Sequence, residues 1–463
     1  MLRSRVLTVL LVLSWLFCGI ITSFAGFLGF FVSPLWIVLF VPLSLLSLLA
    51  LAALKFVKSL SRFETILLSL LAVIWSLNFL QVFVPETGFD ALWYHLPAAK
   101  FLVESHRFVY SPEIYQTANP QFADSIFSLG FMVLGSFGTK LVAFGFALTL
   151  IAVIFQLARL FISRSWALIF VITISTFQVV AWQSSSFYVD VAKAVVDLST
   201  IWLVLLSLKN KKHESKAKYL WLAVISFSAS LASKAFSVLL LPSMIFAIIV
   251  ASKKLSKQVS LSFVVALSFL ALPFYLFSLE QTGSLFYSIQ KHTSELSSFT
   301  NSASVIQLIS FKFIELPKMI PSLFFTRDYT SPLMVLLPIA IYYLFNEIKK
   351  NTSLQILTFF TLNQLGIWWF VPPLSTRYAL GGFITGLLLV FLMVAKLCSN
   401  RGMSDRKAQF AILIVALLML LPRIIVANRS IHYIFGAESE QEYIDKLRDT
   451  NNSSVFDGWY KNE

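Results

Sequence analysis

The sequence predicts an all-α integral membrane protein with about thirteen spanning helices, each drawn from roughly 20 mostly apolar residues. Three observations carry this. Of the 463 residues, 58% are hydrophobic and only 13% charged, where a soluble globular domain carries roughly 25% charged residues. The apolar residues lie in long runs separated by short polar breaks. Lys and Arg gather in alternate breaks, the pattern of cytoplasmic loops. The net charge of +14 is then loop charge, suited to anionic membrane lipids as partners. No basic, aromatic-interleaved soluble segment is present to bind nucleic acid.

In chain order the expected spans cover about 6–32, 34–54, 63–85, 138–160, 165–185, 191–208, 219–233, 235–251, 258–278, 331–348, 352–372, 376–397 and 408–427. The first begins "MLRSRVLTVLLVLSWLFCGIITSFAG" and runs past Phe30 without a small-residue cleavage site. It is read as a retained span, not a signal peptide. Residues 1–62 thus supply two helices ahead of a core over 63–427, followed by a tail over 428–463. The apolar pattern between 219 and 251 divides at Ser233-Lys234 into two short helices, which keeps both flanking basic loops on one side.

Arg3, Arg5, Lys55, Lys58, Arg62, Arg159, Arg164, "KNKKHESKAK", "KKLSK", Lys349, Lys350 and "RGMSDRK" then share one face. The positive-inside rule makes that face cytoplasmic, with the N-terminus inside and the C-terminus outside a multi-pass plasma (inner) membrane protein. The loops over about 85–137, 186–191, 279–330 and 373–377 lie outside on this reading, as does the tail, with one short helix around "ESEQEYIDKLRD". Within the first loop, "PQFADSIFSLGFMVLGSF" is apolar enough to span, but a span there would reverse the side of every later basic loop. It is read as an interfacial or re-entrant helix, so the loop holds juxtamembrane helices. Cys18 and Cys398 lie in apolar runs near opposite faces, and no disulfide or zinc pattern is expected.

The polar residues that are hardest to explain collect on the outer face. Asp90 opens "DALWYHLPAAKFL", with Tyr94 four residues on along one helix face and His95 beside it. The carboxylate either caps the helix start or serves as a general base at the water–lipid boundary. Asp190 in "SSSFYVDVAKAVVDLS" presents the same alternatives, while Lys193 and Asp197 below it are spaced to neutralise each other. Lys234 in "SLASKAFSVLLLP" either snorkels to the interface or binds an anion such as phosphate. Arg377 in "WWFVPPLSTRYALGG" offers a fork of donors matched to phosphate; Arg327 in "FFTRDYTSP" does so too, or pairs with Asp328. Arg423 serves or snorkels, and His292 is read as solvated. No nucleotide-binding glycine loop or nucleophile elbow is visible.

In order and sidedness these segments resemble the GT-C class of polytopic glycosyltransferases, which includes protein mannosyltransferase, aminoarabinose transferase and RgtA/B/C/D-like groups. The resemblance is carried by "FDALWYHLPAAKFLVESHRF", "NPQFADSIFSLGFMVLG", "FYVDVAKA", "ASLASKAFSVLLLP", "QTGSLFYSI", "STRYALGG" and "FGAESEQEYIDKL". It implies inverting sugar transfer from a polyprenyl-phosphate donor to a glycan, lipid or protein acceptor outside the cell. Asp90 would be the base and Asp190 an assisting acid. Lys234, Arg377 and Arg327 would contact the donor phosphate, with Tyr94 and His95 shaping the site. Many members carry two adjacent acids where this chain has Phe89 and Ala91 beside Asp90. No cofactor is therefore assigned, and a divalent metal is left as an open alternative. The rival readings are a transporter or flippase, and a polysaccharide polymerase or ligase, handling lipid-linked glycans.

Overall fold

The computed structural model describes residues 2–57, 60–210, 212–252, 265–291, 330–370, 375–402 and 404–448. Arg327, His292, "KKLSK", most of the expected loop over 279–330 and the tail beyond 448 lie outside them. The described residues are helical, with no strand beyond one bridge between Ser111 and Ile114. The helices are α1 (Leu2–Leu28), α2 (Phe40–Val57), α3 (Arg62–Leu80), α4 (Leu96–Ser105), α5 (Phe122–Ala158), α6 (Arg164–Ser175), α7 (Gln178–Gln183), α8 (Asp190–Lys209) and α9 (His213–Ser233). They continue with α10 (Leu241–Ser252), α11 (Leu272–Thr282), α12 (Leu337–Lys350), α13 (Thr352–Phe370), α14 (Leu380–Arg401), α15 (Asp405–Leu418), α16 (Leu421–Ile434) and α17 (Glu440–Arg448). Among the described residues, eight helical stretches are long and apolar enough to cross a membrane, or nine if α15 and α16 count as one. The chain is a multi-pass membrane protein.

Local chemistry sets where these helices begin. Ser61 and Glu64 form a capping box ahead of α3, each side chain bonded to the other's backbone N–H. Pro97, Pro242, Pro273, Pro338 and Pro422 all stand in the first turn of their helices, where a missing N–H costs nothing. The break expected at Ser233-Lys234 is present: Lys234 is extended, with φ −160 and ψ 130, between α9 and a 3-10 turn over Ala235–Leu240. The short helix expected in the tail is α17.

Two expected spans are interrupted. The stretch 165–185 divides between α6 and α7, where the hydroxyls of Ser175 and Thr176 bond back to the Val171 and Thr173 carbonyls. Such bonds compete with the helix ladder. The stretch 408–427 bends by 43° between α15 and α16, because Pro422 has no N–H to offer the preceding turn.

α5 resolves the apolar stretch after the first loop. A straight helix of 37 residues would be about 55 Å long, nearly twice the roughly 30 Å hydrocarbon core. The backbone leaves helical geometry at Leu134 and Gly135, the latter at φ 55. A left-handed φ is readily adopted only by glycine. The two pieces then fold back on each other. A Cβ on Gly130 would stand 2.5 Å from the Gly138 carbonyl oxygen, and one on Gly138 would collide with the Gly130 oxygen. Residues 122–133 therefore form one arm of a helical hairpin, as a re-entrant element requires.

The chain divides into two compact units. The first holds Met1–Ala152, Val180–Val195 and Leu420–Glu463. Here α1 packs on the second arm of α5, with Trp15 stacked on Phe146 at 4.2 Å and its indole N–H donating to Thr149 at 2.9 Å. α3 is joined to α16 by Arg423–Asn78 at 2.9 Å and Ser430–Gln81 at 2.7 Å. Tyr443 of α17 lies against Tyr433 and under Arg429. The second unit holds Val153–Val179 and Val196–Met419. Its centre is the α13–α14 pair, bonded through Thr361 and Thr385 at 2.7 Å, with Phe391 of α14 meeting Trp166 and Phe170 of α6.

Candidate active site

In the first unit the site is built from two loops, one ahead of α4 and one between α7 and α8. Glu86 ties them together. Its Oε1 accepts from Thr87 N (2.8 Å), Gly88 N (2.8 Å) and Ser186 Oγ (2.7 Å), and its Oε2 accepts from Phe187 N (2.9 Å). Only 2% of Glu86 is exposed. A buried carboxylate must be compensated in this way. As sequence, Glu86 is the other candidate acid four residues before Asp90, and its place just after Pro85 suggests an interface residue; the structure makes it an anchor instead. Lys140, also buried, donates to the Val84 carbonyl at 2.5 Å and lies within the field of the Glu86 charge.

Asp90 sits at the end of this anchored loop. Its side chain makes no capping bond. The helix-cap explanation therefore fails: the helix already begins at Phe89, and Asp90 stands inside its first turn with φ −66 and ψ −32. The next turn is π-helical over Ala91–His95, with Leu96 N–H bonded to Ala91 C=O. Asp90 Oδ2 instead accepts from the Tyr94 hydroxyl at 3.2 Å, and Asp90 N–H donates to the Tyr188 oxygen at 2.9 Å. Tyr188 comes from the second loop, so that loop fixes the backbone of the first.

His95 is buried, and its Nδ1 meets Asp124 Oδ1 at 2.6 Å. Its ring is stacked on Phe187 at 5.1 Å and tilted against Tyr94 at 4.2 Å. Asp190 begins α8 and accepts from Gln183 Nε2 at 3.1 Å. Trp182, next to Gln183, meets Tyr188 edge-on at 4.5 Å. Asp90, Tyr94, His95 and Asp190, all chosen from the sequence, thus belong to one loop cluster. Glu86, Asp124, Gln183 and Tyr188 complete it; of these the sequence offered only Glu86, as the other candidate acid, and the remaining three were missed. For Asp124 a signal existed, an acid inside an apolar stretch.

The second unit carries the expected cations. Lys234 Nζ lies over the Tyr378 ring at 4.5 Å, and the Arg377 guanidinium lies 5.1 Å from the same ring. Arg377 Nη2 also donates to the Tyr378 hydroxyl at 3.3 Å. One aromatic ring therefore holds two cations from segments far apart in sequence. Asp197 on α8 is buried and accepts from Ser230 at 2.5 Å and from Gln364 at 3.3 Å.

Among the described residues no three His, Cys, Asp or Glu side chains gather as a metal site. Near Asp90, Glu86 is committed to backbone and serine donors, and Asp124 to His95. Neither carboxylate is therefore available to join Asp90 in binding a divalent cation.

No family model matches the sequence, and no curated protein matches it. Among solved structures, an archaeal oligosaccharyltransferase, AglB from Archaeoglobus fulgidus, in complex with an inhibitory peptide and a dolichol-phosphate, is similar. It has a TM-score of 0.50 and 18% identity, over 80% of this chain and 56% of that one. ArnT from Cupriavidus metallidurans bound to undecaprenyl phosphate gives a TM-score of 0.48 and 13% identity, over 78% of this chain and 63% of that one. The chain spans under two thirds of the length of either protein. Fold and loop cluster together define a polytopic helical membrane protein. Its fold is GT-C-like, as the sequence resemblance implied.

Proposed function

We propose that this chain is a membrane glycosyltransferase. It moves a sugar from a polyprenyl-phosphate donor to a glycan, lipid or protein acceptor on the extracytoplasmic face of the plasma membrane. The observation that carries the reading is the Asp90 carboxylate. It is released from capping and held by Tyr94, on a segment bonded to Tyr188, in a chain of GT-C-like fold.

Asp90 takes the proton of the acceptor hydroxyl. The acceptor oxygen attacks the anomeric carbon from the side opposite the phosphate, so the configuration inverts. The bond from that carbon to the phosphate oxygen breaks, its electron pair leaves on the oxygen, and polyprenyl phosphate departs. Lys234 and Arg377 meet the phosphate charge, with Arg327 in the same role. Asp190 orients the acceptor, Tyr94 and His95 shape the surroundings of Asp90, and the tail borders the acceptor entry. The thirteen-span, N-inside topology, with a core over 63–427 behind two added helices, belongs to the same proposal.

The test is Asp90→Asn in a protein that inserts normally. Transfer should fall by roughly 10²–10⁴-fold, and unimpaired transfer sinks the assignment. A transporter reading draws on Asp197, an ionisable group buried within α8. Turnover separates the two readings: a transporter moves its substrate unchanged, while a transferase releases polyprenyl phosphate.

A further inference from the structure

We propose that Asp124 is a positioning residue for Asp90, acting through His95; this rests on the reading of Asp90 as the base. Asp90 immediately precedes the turn in which Leu96 N–H reaches back five residues to Ala91 C=O. Turns of this register are rare, occur as single bulges and recur at functional sites. The same backbone settles into the ordinary α register unless something outside it intervenes. The turn holds two side chains with different partners. Tyr94 donates to Asp90 Oδ2 at 3.2 Å, and His95 Nδ1 meets Asp124 Oδ1 at 2.6 Å.

A carboxylate only accepts, so Nδ1 carries the hydrogen and the bond is charge-assisted. Asp124 lies in the first turn of α5, and Phe127 follows three residues later on the same face. Phe127 stacks on Phe187 at 4.5 Å, and Phe187 stacks on the imidazole at 5.1 Å. The ring of His95 is thus gripped at its edge by a carboxylate and on its face by an aromatic. α5 contributes to both grips, and they hold the turn open. Without Asp124 the segment closes toward the α register and Tyr94 rotates away from Asp90.

The experiment compares Asp124→Ala, Asp124→Asn, His95→Asn and His95→Phe. The probe is release of polyprenyl phosphate from a polyprenyl-phosphate hexose in detergent with an envelope-glycan fraction supplied as the hydroxyl acceptor, and wild type and Asp90→Asn alongside. Asn at 124 keeps an acceptor for Nδ1–H, and Asn at 95 places an amide N–H where Nδ1 stood. Phe at 95 keeps the ring and its stacking but has no donor. Positioning through the hydrogen bond predicts that Asp124→Ala and His95→Phe lose kcat by roughly 10- to 100-fold, one charge-assisted bond expressed as rate. Donor KM should be little changed, and the two Asn variants should recover most of the loss.

A role in packing alone predicts the reverse order at 95, with Phe above Asn, and that order overturns the proposal. So does unchanged kcat in Asp124→Ala. If wild type releases nothing, or Asp90→Asn is fully active, the transferase reading fails instead. The positioning claim is then judged by cryo-EM of Asp124→Ala, where a Tyr94–Asp90 contact kept at its present length refutes it.

Discussion

Glu86→Gln should loosen the loop that carries Asp90. The carboxylate gives one oxygen to Thr87 N–H, Gly88 N–H and the Ser186 hydroxyl, and the other to Phe187 N–H. An amide has one accepting oxygen and one donating NH2 group. With its oxygen toward Thr87, Gly88 and Ser186, the NH2 faces Phe187 N–H and one bond is lost. Turned the other way, two are lost, since the Ser186 hydroxyl can rotate to accept from the NH2. The cheaper orientation leaves one buried N–H unpaired, about 1–3 kcal/mol. The substitution also removes a negative charge whose field reaches buried Lys140, which acts in the same direction. At about 2–4 °C per kcal/mol for a cooperative unit of this size, the lost bond alone should lower melting by roughly 2–12 °C. Intrinsic-fluorescence melting in detergent measures it without any substrate. A melting curve indistinguishable from wild type would refute the claim that Glu86 joins the two loops.

Other expectations follow from the same geometry. Lys234→Gln and Arg377→Gln should each raise the donor KM by roughly 10- to 100-fold and leave kcat less affected; Arg377→Lys should not restore it, because an ammonium lacks the guanidinium fork. Initial rates against donor concentration check both. Gly138→Ala should abolish the monodisperse peak on size exclusion, since its Cβ meets the Gly130 carbonyl. Gly366→Ala, with nothing within 4 Å of the added atom, should be tolerated and gain about 0.5–1 kcal/mol of helix propensity. In the tail, Ser439 N–H and its hydroxyl hold the Glu442 carboxylate below its usual range. A depressed folded value means the cap contributes fully above the unfolded value, about pH 4.3, and is lost as pH falls through the lowered one. Amide protection across Glu440–Arg448, taken relative to the intrinsic exchange rate at each pH, should fall on that descent.

Much of the architecture was legible because its causes are local. Apolar runs mark helices, prolines mark their first turns, and Ser61 with Glu64 marks the start of α3. The broken helix at Lys234 also followed from patterning and loop charge, and the same reasoning set the apolar segment over 120–137 apart from the straight spans. The interruption after Ser175 did not, because hydropathy averages over a window and misses single side-chain-to-backbone bonds; the bend ahead of α16 lies at Pro422, which the same averaging passes over.

Composition and patterning are enough to mark the chain as a membrane bundle and to single out Asp90, Asp190, Lys234 and Arg377 as the polar residues needing explanation. Their partners come from the folding of distant segments onto one another. Glu86 binds Ser186 one hundred positions away, His95 binds Asp124 twenty-nine positions away, and Lys234 shares the Tyr378 ring with Arg377. Periodicity reports which face of one helix is apolar. It carries no information about which distant side chain arrives there, because that depends on how separate helices pack. Asp90 shows the difference: as sequence it was an acid at a helix start with a capping role available. In the folded chain that carboxylate lies inside the first helical turn, makes no capping bond and accepts from Tyr94.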